Sequence, residues 1–171
     1  QPQIEAMSIS SYNIESKEVS SRFVNLKYVL NNEFIFFSNY SSSKSNDFSS
    51  HDQVACIFFW PVIDCQIRMK ARISKTSKSF NDEYFKKRSS TKNALAISSN
   101  QSRPINSYDL VKENYDKALK DNDLKVCPDF WGGYSFVPYY FEFWEGHESR
   151  INKREAFDMT DGIWKHSFLQ P

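Results

Sequence analysis

The stretch "QVACIFFWPVIDCQIRMKARIS", residues Gln53–Ser74, decides the fold class. Its second half, "CQIRMKARIS", shows the clearest alternation in the chain, with Gln, Arg, Lys and Arg at every second position. A period of two is typical of a β-strand with one solvated face. The first half, "QVACIFFW", is almost wholly apolar and predicts a strand buried on both faces, while Pro61–Asp64 predicts the turn between the two strands.

Runs rich in β-forming residues lie on both sides of this pair. Asn31-Asn32 predicts a tight turn that joins two of them in a hairpin, and Asp161-Gly162 predicts another. Pro138 interrupts a third run and indicates an edge strand or a bulge. The expected strands outside the opening pair are Ala6–Tyr12, Ser20–Leu30, Glu33–Asn39, Ser135–Trp144, Glu155–Met159 and Ile163–Phe168.

Helical patterns are few. Asn81–Arg88 predicts a short helix with Asn81 as a possible N-cap, and Tyr108–Lys120 predicts a longer amphipathic helix capped by Ser107. The serine-rich segment Ser41–Ser50 is interpreted as a polar loop. About seven strands with two marginal helices predict a mainly β chain that forms a closed or nearly closed barrel.

Length and composition favour one globular domain over residues 1–171. A hydrophobic content of 40% and an aromatic content of 16% exclude a disordered chain. Because the chain begins with Gln1 instead of Met, we expect its natural N-terminus to be missing. The net charge of +1 gives no reason to expect nucleic acid or an acidic membrane surface as a partner. The longest apolar run, Val54–Ile63, is too short to span a bilayer.

The cysteine and histidine residues exclude several classes of site. Three cysteines at irregular spacing argue against a disulfide framework and a structural zinc site, and favour a reducing cytoplasm. The three histidines lack metal-ligand spacing, so no metal is expected. Glycine patterns of hydrolases, of P-loops and of dinucleotide-binding folds are absent from the sequence.

Local clusters of basic residues leave two interpretations open. In "RFVNLK", Arg22 and Lys27 have opposite parity on a regular strand, so they are two solvated charges or two separate anion sites. "FFSNYSSSK" places hydroxyl groups before Lys44, as in a phosphate-binding turn, but a serine-rich segment is more often an ordinary loop. Tyr84 and Arg88 project from one helix face, which is either solvated or anion-binding.

Taken together, the motifs resemble those of the pyridoxine (pyridoxamine) 5′-phosphate oxidase family, flavin enzymes with a split β-barrel fold. The resemblance is collinear from about Ala6 to Pro171. Eight motifs in the same order carry it: "RFVNLK", "FFSNYSSSK", "EYFKKR", "NQS", "FWGGY", "FEFWEG", "RINKR" and "WKHSFLQP".

The resemblance implies a homodimer with FMN at the interface and a small phosphorylated pyridine as substrate. Trp144 would lie against the flavin, and Arg154 would reach it from the partner subunit. Gly132-Gly133 would allow a tight backbone turn beside Trp131. The residues that match cofactor positions are Arg22, Phe37, Ser38, Lys44, Gln66, Gln101, Ser102, Trp144 and Arg154. Those that match substrate positions are Lys27, Tyr84, Arg88, Lys92, Arg150 and Asn152, with Arg150 and Asn152 at the catalytic positions over the pyridine ring.

Four positions depart from the family pattern. Ser43 replaces the first residue of an Arg-Lys pair, and Lys92 stands where a serine helps bind the substrate phosphate. The Arg-x-His substrate motif reads Arg150-Ile151-Asn152, and Lys153 replaces the Asp that usually follows.

The resemblance therefore implies FMN-dependent oxidation of pyridoxamine or pyridoxine 5′-phosphate to pyridoxal 5′-phosphate, with O₂ as acceptor. Two alternatives stay open because three of the departures lie where substrate identity is read. One is a divergent flavin oxidase that acts on another small ring substrate. The other is a barrel that binds FMN or pyridoxal phosphate without turnover.

Overall fold

The computed structural model describes residues 4–171, which form two compact units. The first unit contains residues 4–36, Asp47–Ser74 and Ser135–Pro171, and the second contains Phe37–Asn46 and Lys75–Tyr134. The single domain expected over residues 1–171 stays a prediction.

The described residues contain nine strands in one sheet. The bounds are β1 Ala6–Asn13, β2 Glu18–Asn25, β3 Tyr28–Leu30, β4 Glu33–Asn39, β5 Gln53–Trp60, β6 Cys65–Lys75, β7 Trp131–Glu145, β8 Lys153–Thr160 and β9 Ile163–Phe168. The strand order is β2-β1-β5-β6-β7-β4-β3, and β8 pairs with both β7 and β9. The helices are α1 Ser43–Ser50, α2 Lys78–Lys87, α3 Ser90–Ser98 and α4 Tyr108–Asp121, with a 3₁₀ turn at Pro61–Ile63. The prediction of a mainly β chain is confirmed.

The opening pair of strands forms as predicted but is buried differently. β5 and β6 pair antiparallel from Gln53↔Arg72 to Trp60↔Cys65. On β6, Met69, Ala71 and Ile73 are buried, which confirms the alternation. On β5, Val54, Cys56 and Phe58 are buried, whereas Ile57 is 42% and Phe59 49% exposed. Burial on both faces was therefore the wrong prediction for β5, because only one of its faces packs on the core of this chain.

The predicted strand Ser20–Leu30 is two strands. β2 pairs with β1 from Ala6↔Asn25 to Asn13↔Glu18, and β3 pairs with β4 across the Asn31-Asn32 turn. Asn31 takes a left-handed conformation with φ 56°, which an Asn side chain tolerates. The hairpin at this turn is confirmed, but it contains only Tyr28–Leu30 of the longer predicted strand. The closing hairpin, β8 to β9 with Thr160↔Ile163, is also confirmed.

In strand β7, the edge position that Pro138 allowed and the turn expected at the glycines are wrong, whereas the bulge that Pro138 also allowed stays a prediction. Strand β7 pairs with β6, β4 and β8, so Pro138 does not mark an edge strand. Gly132 and Gly133 lie inside β7 and are buried, so they do not form the predicted turn. A Cβ at Gly132 would collide with the Tyr40 hydroxyl and the Asn81 amide, so close packing is what requires glycine there.

The helices show three further errors. Ser41–Ser50 is not a loop, because α1 occupies Ser43–Ser50. Helix α2 begins earlier than predicted, and Ser77, not Asn81, caps it by accepting the Phe80 N–H. Helix α3 was not predicted at all. Helix α4 is confirmed with its cap, since the Ser107 side chain accepts the Leu110 N–H.

Each unit has its own apolar core. In the first unit, Met7, Ile9, Phe36, Cys56 and Phe136 have no exposed surface. In the second unit, Phe85, Cys127 and Trp131 form a buried cluster that Phe37 and Tyr84 pack against. Among residues 4–171, no helix is long and apolar enough to cross a membrane.

Candidate functional site

The second unit contains a buried cation surrounded by oxygen atoms. Lys44, from α1, is only 8% exposed. Its Nζ donates to Ser38 Oγ at 2.9 Å, to Ser42 Oγ at 3.0 Å and to Gln101 Oε1 at 2.9 Å. These three acceptors are neutral oxygen atoms, and they orient the ammonium. The arrangement is chemically suited to a phosphate group, and it unites three residues that the sequence analysis assigned to the cofactor: Ser38, Lys44 and Gln101.

Gln101 and Ser102 lie in a turn between α3 and α4. Ser102 has φ 70°, and the Arg103 N–H closes the turn by donating to the Asn100 carbonyl at 3.0 Å. Ser38 Oγ also donates to Gln101 Oε1 at 3.1 Å, so this side-chain amide is fixed from β4 as well as from Lys44. Ser102 is exposed, and its cofactor role stays a prediction.

Four aromatic rings of the second unit lie nearly parallel to one another. The Phe37 ring, at the end of β4, stacks on Tyr84 with centroids 3.7 Å apart, on Trp131 at 5.2 Å and on Phe80 at 6.0 Å. The stack fixes the end of β4, where Phe37 precedes Ser38. Phe37 is a predicted cofactor residue and Tyr84 a predicted substrate residue, and the structure brings these two side chains into direct contact.

Arg88 is held in place by the residues around it. Its guanidinium lies 4.8 Å from the centre of the Trp131 ring, and Nη1 donates to Asn93 Oδ1 at 3.1 Å and to the Lys92 carbonyl at 3.0 Å. Burial lowers the pKa of Arg88 from its usual value, with Tyr84 and Cys127 acting in the opposite direction. Asn93 is in turn anchored, since its Nδ2 donates to the Phe85 and Leu124 carbonyls at 2.8 Å.

Sequence reasoning missed Asn93, because an Asn within "KNALAI" gives no signal of its partners. Lys92, predicted to bind substrate, is exposed.

In the first unit, Arg22 forms a partly buried ion pair with Asp47. Arg22 Nη2 lies 3.3 Å from Asp47 Oδ2, and Nη1 donates to Ser11 Oγ at 2.7 Å. Asp47 also accepts from Ser11 Oγ at 2.7 Å and from Asn13 Nδ2 at 3.1 Å. Burial lowers the pKa of Arg22, and the charge of Asp47 partly restores it. Sequence reasoning assigned Arg22 to the FMN phosphate but missed Asp47, which lies within the segment taken for a loop.

A second charged cluster surrounds Glu142 on β7. Glu142 Oε1 accepts from Arg154 Nε at 2.8 Å and lies 3.4 Å from Arg68 Nη1, while Oε2 accepts from the Tyr140 hydroxyl at 2.9 Å. Burial would raise the pKa of Glu142, but the hydrogen bonds from Arg154 and Tyr140 and the charges of Arg68 and Arg154 lower it below its usual value. Arg154 Nη1 also donates to the Gln170 carbonyl at 2.9 Å. Arg154 is thus fixed on two sides by its own chain.

The other cofactor candidates of the first unit lie on the sheet. Gln66 on β6 is half-buried opposite Phe59, and Trp144 on β7 is half-buried opposite Arg154. Lys27 follows the end of β2 and is exposed, so the parity argument that separated it from Arg22 does not apply across this break.

The residues predicted to contact the pyridine ring lie in a tight turn after β7. Arg150 has φ 60°, and its N–H donates to the His147 carbonyl at 2.8 Å. Asn152 Oδ1 accepts the His147 N–H at 3.0 Å, so this side chain closes the turn. The neighbouring Lys153 forms an ion pair with Glu155.

Comparison with known proteins identifies the family of the chain. The family model of the pyridoxine 5′-phosphate oxidase C-terminal dimerisation region matches residues 131–171. A pyridoxine/pyridoxamine 5′-phosphate oxidase of Leptospira biflexa is 38% identical over 168 residues, which cover 97% of this chain and 79% of that protein. A relative of the same name from Alteromonas mediterranea is 36% identical over 174 residues, covering 99% and 81%. The chain belongs to the pyridoxine/pyridoxamine 5′-phosphate oxidase family.

Solved structures establish the fold of this family member. PhzG of Burkholderia lata, in complex with tetrahydrophenazine-1-carboxylic acid, aligns with a TM-score of 0.91 at 22% identity, covering 99% of this chain and 83% of that one. A pyridoxamine 5′-phosphate oxidase-related, FMN-binding protein of Nostoc punctiforme aligns with a TM-score of 0.82 at 11% identity, covering 98% and 88%. The predicted split β-barrel is confirmed, and the family relationship indicates an oxidoreductase with a flavin-binding fold.

Proposed function

We propose that the chain is an FMN-dependent oxidase that converts pyridoxamine or pyridoxine 5′-phosphate to pyridoxal 5′-phosphate, with O₂ as acceptor. The observation that carries this proposal is the buried Lys44 ammonium, which donates to three neutral oxygen atoms. A buried cation of this kind is suited to a phosphate, because a charge-assisted hydrogen bond in a desolvated setting is roughly twice as strong as a neutral one. The names of the relatives support the same activity.

FMN, when bound, would supply the redox chemistry by taking a hydride from the substrate and passing its electrons to O₂. The work of the chain is then to bind and orient. In this proposal Lys44 and Arg22 hold the FMN phosphate, and Ser38 and Gln101 fix the Lys44 ammonium. The remaining cofactor residues of the proposal are Phe37, Gln66, Ser102, Trp144 and Arg154.

The substrate would be held by a second set of residues. Lys27, Tyr84 and Arg88 would take its phosphate, with Lys92 beside them. Arg150 would lie over the pyridine ring, and Asn152 would hold the turn that presents Arg150. Asn152 carries no charge near neutral pH, so it cannot exchange a proton there as a histidine can.

The proposal includes a homodimer in which each FMN site draws on both subunits. The match to a dimerisation region over residues 131–171 supports this assembly. A cytoplasmic location stays a prediction from the cysteine pattern.

A divergent oxidase that acts on another small ring substrate is the second candidate. It is favoured by Asn152, whose oxygen is already engaged by the His147 N–H, and by Lys153, which is paired with Glu155. A barrel that binds FMN or pyridoxal phosphate without turnover is the third.

Anaerobic mixing of the FMN-loaded protein with pyridoxine 5′-phosphate tests the first candidate against the other two. Bleaching of the yellow colour is expected for the oxidase, since the substrate would reduce the flavin. A yellow protein that stays yellow would move the conclusion to one of the other two candidates. A protein that takes up no FMN would contradict the proposed function.

A further inference from the structure

The carboxylate of Asp47 forms an ion pair with Arg22, one of the two cations that the proposed function assigns to the FMN phosphate. The carboxylate is nearly buried, with 10% of its side chain exposed, and the Arg22 side chain is 20% exposed. Ion pairs at this depth are weakly screened by salt, so each partner strongly affects the potential at the other. Asp47 therefore cancels much of the attraction that Arg22 would exert on an anion.

The position of Arg22 does not depend on Asp47 alone. Nη1 donates to Ser11 Oγ at 2.7 Å and lies 3.4 Å from the Ile9 carbonyl. Both acceptors are on β1, opposite β2. Loss of the Asp47 charge would leave these two contacts in place, so the guanidinium would keep its orientation while its charge became available.

We propose that Asp47 limits the affinity of the chain for the phosphate of FMN by neutralising Arg22, which makes Asp47 a determinant of how strongly FMN is preferred over riboflavin. This inference rests on the proposed function, which assigns Arg22 to that phosphate. Phosphate carries close to two negative charges at neutral pH, and a carboxylate that already occupies the guanidinium repels it. Riboflavin lacks the phosphate, so its affinity is not expected to depend on the charge of Asp47.

The test is a titration of the flavin-free protein with FMN and, separately, with riboflavin. Quenching of flavin fluorescence reports binding in both titrations. Asp47→Asn keeps the size of the side chain and one oxygen acceptor for Ser11 but removes the charge. We expect its Kd for FMN to fall about tenfold, which corresponds to about 1.4 kcal/mol, with the Kd for riboflavin unchanged. Asp116→Asn, an exposed position on α4, changes the net charge equally and should alter neither Kd.

The outcomes separate this inference from the proposed function. The ratio of the Kd for riboflavin to the Kd for FMN should rise in Asp47→Asn. If the natural protein binds FMN and this ratio is unchanged or lower in Asp47→Asn, the inference alone is overturned. If neither protein binds FMN, the proposed function fails and the inference fails with it. If circular dichroism shows that Asp47→Asn does not fold, Asp47→Ser replaces it, and the same rise in the ratio is expected. An unchanged ratio in Asp47→Ser would also overturn the inference.

Discussion

At the scale of single residues, Arg88 is both a proposed substrate ligand and a packing element. Its guanidinium covers Trp131 and donates to Asn93 and the Lys92 carbonyl. We expect Arg88→Ala to raise KM for pyridoxine 5′-phosphate about tenfold or more, because a phosphate would lose a charged donor worth about 1.5–3 kcal/mol. Loss of the cation–π contact should lower the free energy of unfolding by about 1–2 kcal/mol.

The matching control for Arg88 is Lys87→Ala, since Lys87 is exposed one residue earlier. Steady-state kinetics, the ratio of flavin to protein and urea denaturation give the three readouts. Arg88→Ala should keep its flavin, and Lys87→Ala should match the natural protein in all three. Loss of FMN from Arg88→Ala would show that the two anion sites are assigned the wrong way round.

Asn152 closes the turn that carries Arg150, and this contact can be tested without substrate. Asn152→Ala removes the acceptor of the His147 N–H, which lies 3.0 Å from Asn152 Oδ1. A hydrogen bond of this type contributes about 1 kcal/mol, so amide exchange at His147 should become about fivefold faster. Asn152→Asp retains the acceptor oxygen and should exchange as the natural protein does. Equal exchange rates in Asn152→Ala and the natural protein would mean that the turn forms without this side chain.

Some residues of the candidate site could be predicted from sequence motifs and others could not. The motifs identified Arg22, Lys44 and Gln101, and the structure joins the last two through one ammonium contact. They could not identify Asp47 or Asn93, because the hydrogen bonds of each form only in the folded chain. A lone acidic or amide residue in a polar run has no periodicity that would indicate burial.

At the scale of secondary structure, the charged cluster on β7 and β8 makes acid stability depend on Glu142. The pKa of this carboxyl is lower in the folded chain than its usual value of 4.5, because Arg154, Tyr140 and Arg68 outweigh the effect of burial. A lowered folded pKa stabilises the protein above the unfolded pKa, and this stability is lost as the pH falls through the folded value. We therefore expect the free energy of unfolding to fall below about pH 4.5 in the natural protein, and to fall less steeply in Glu142→Gln.

Glu155 provides the comparison for Glu142. The pKa of its carboxyl is also lowered, chiefly by hydrogen bonding to Lys153, but its side chain is 25% exposed against 5% for Glu142. Salt screens exposed pairs more than buried ones. Denaturation is measured from pH 3 to 6 at low and high ionic strength. Salt should reduce the contribution of Glu155 to the free energy of unfolding more than that of Glu142. Identical pH profiles for Glu142→Gln and the natural protein would contradict the assigned pKa shift.

The elements were predicted best where a strong local signal exists. The Asn31-Asn32 and Asp161-Gly162 turns, the alternation of β6 and the Ser107 cap of α4 all appear as expected. Helices α1 and α3 were missed because serine and asparagine have low helix propensity and neither segment has a clear apolar stripe. Burial stabilises them instead: Ser42, Ser45 and Asn93 are each at most 1% exposed and hydrogen-bonded.

At the scale of the whole molecule, the order of eight motifs identified the family, whereas strand count and composition alone reached only a mainly β barrel. The exposed apolar side chains of the sheet were not predicted, since a strand such as β5 looks the same in sequence whether its second face meets solvent or another chain. Ile57 and Phe59 are examples.

An aromatic patch on the first unit bears directly on the proposed homodimer. Phe34, Phe141, Phe143, Phe157 and Trp164 line an open cavity of about 500 Å³, and Phe141 and Trp164 are 5.5 Å apart between ring centroids. Four of the five rings lie within residues 131–171, the region that matches the dimerisation model. Large exposed apolar patches on a folded chain mark interaction surfaces. We therefore expect the patch to be covered by the second subunit.

This expectation is tested by Trp164→Glu, which places a carboxylate on the patch without touching any proposed FMN residue. In analytical ultracentrifugation the natural protein should sediment with twice the 20.1 kDa mass of the chain. Trp164→Glu should shift to the monomer, because burying an unpaired charge costs several kcal/mol. It should also bind FMN at least tenfold more weakly, because a site shared between subunits would lose the residues that the partner supplies. Val126→Glu, at a position 61% exposed in the second unit, should remain dimeric and keep its FMN affinity. A natural protein that sediments as a monomer and still binds FMN tightly would overturn the shared site, since one chain would then supply every contact that the cofactor needs.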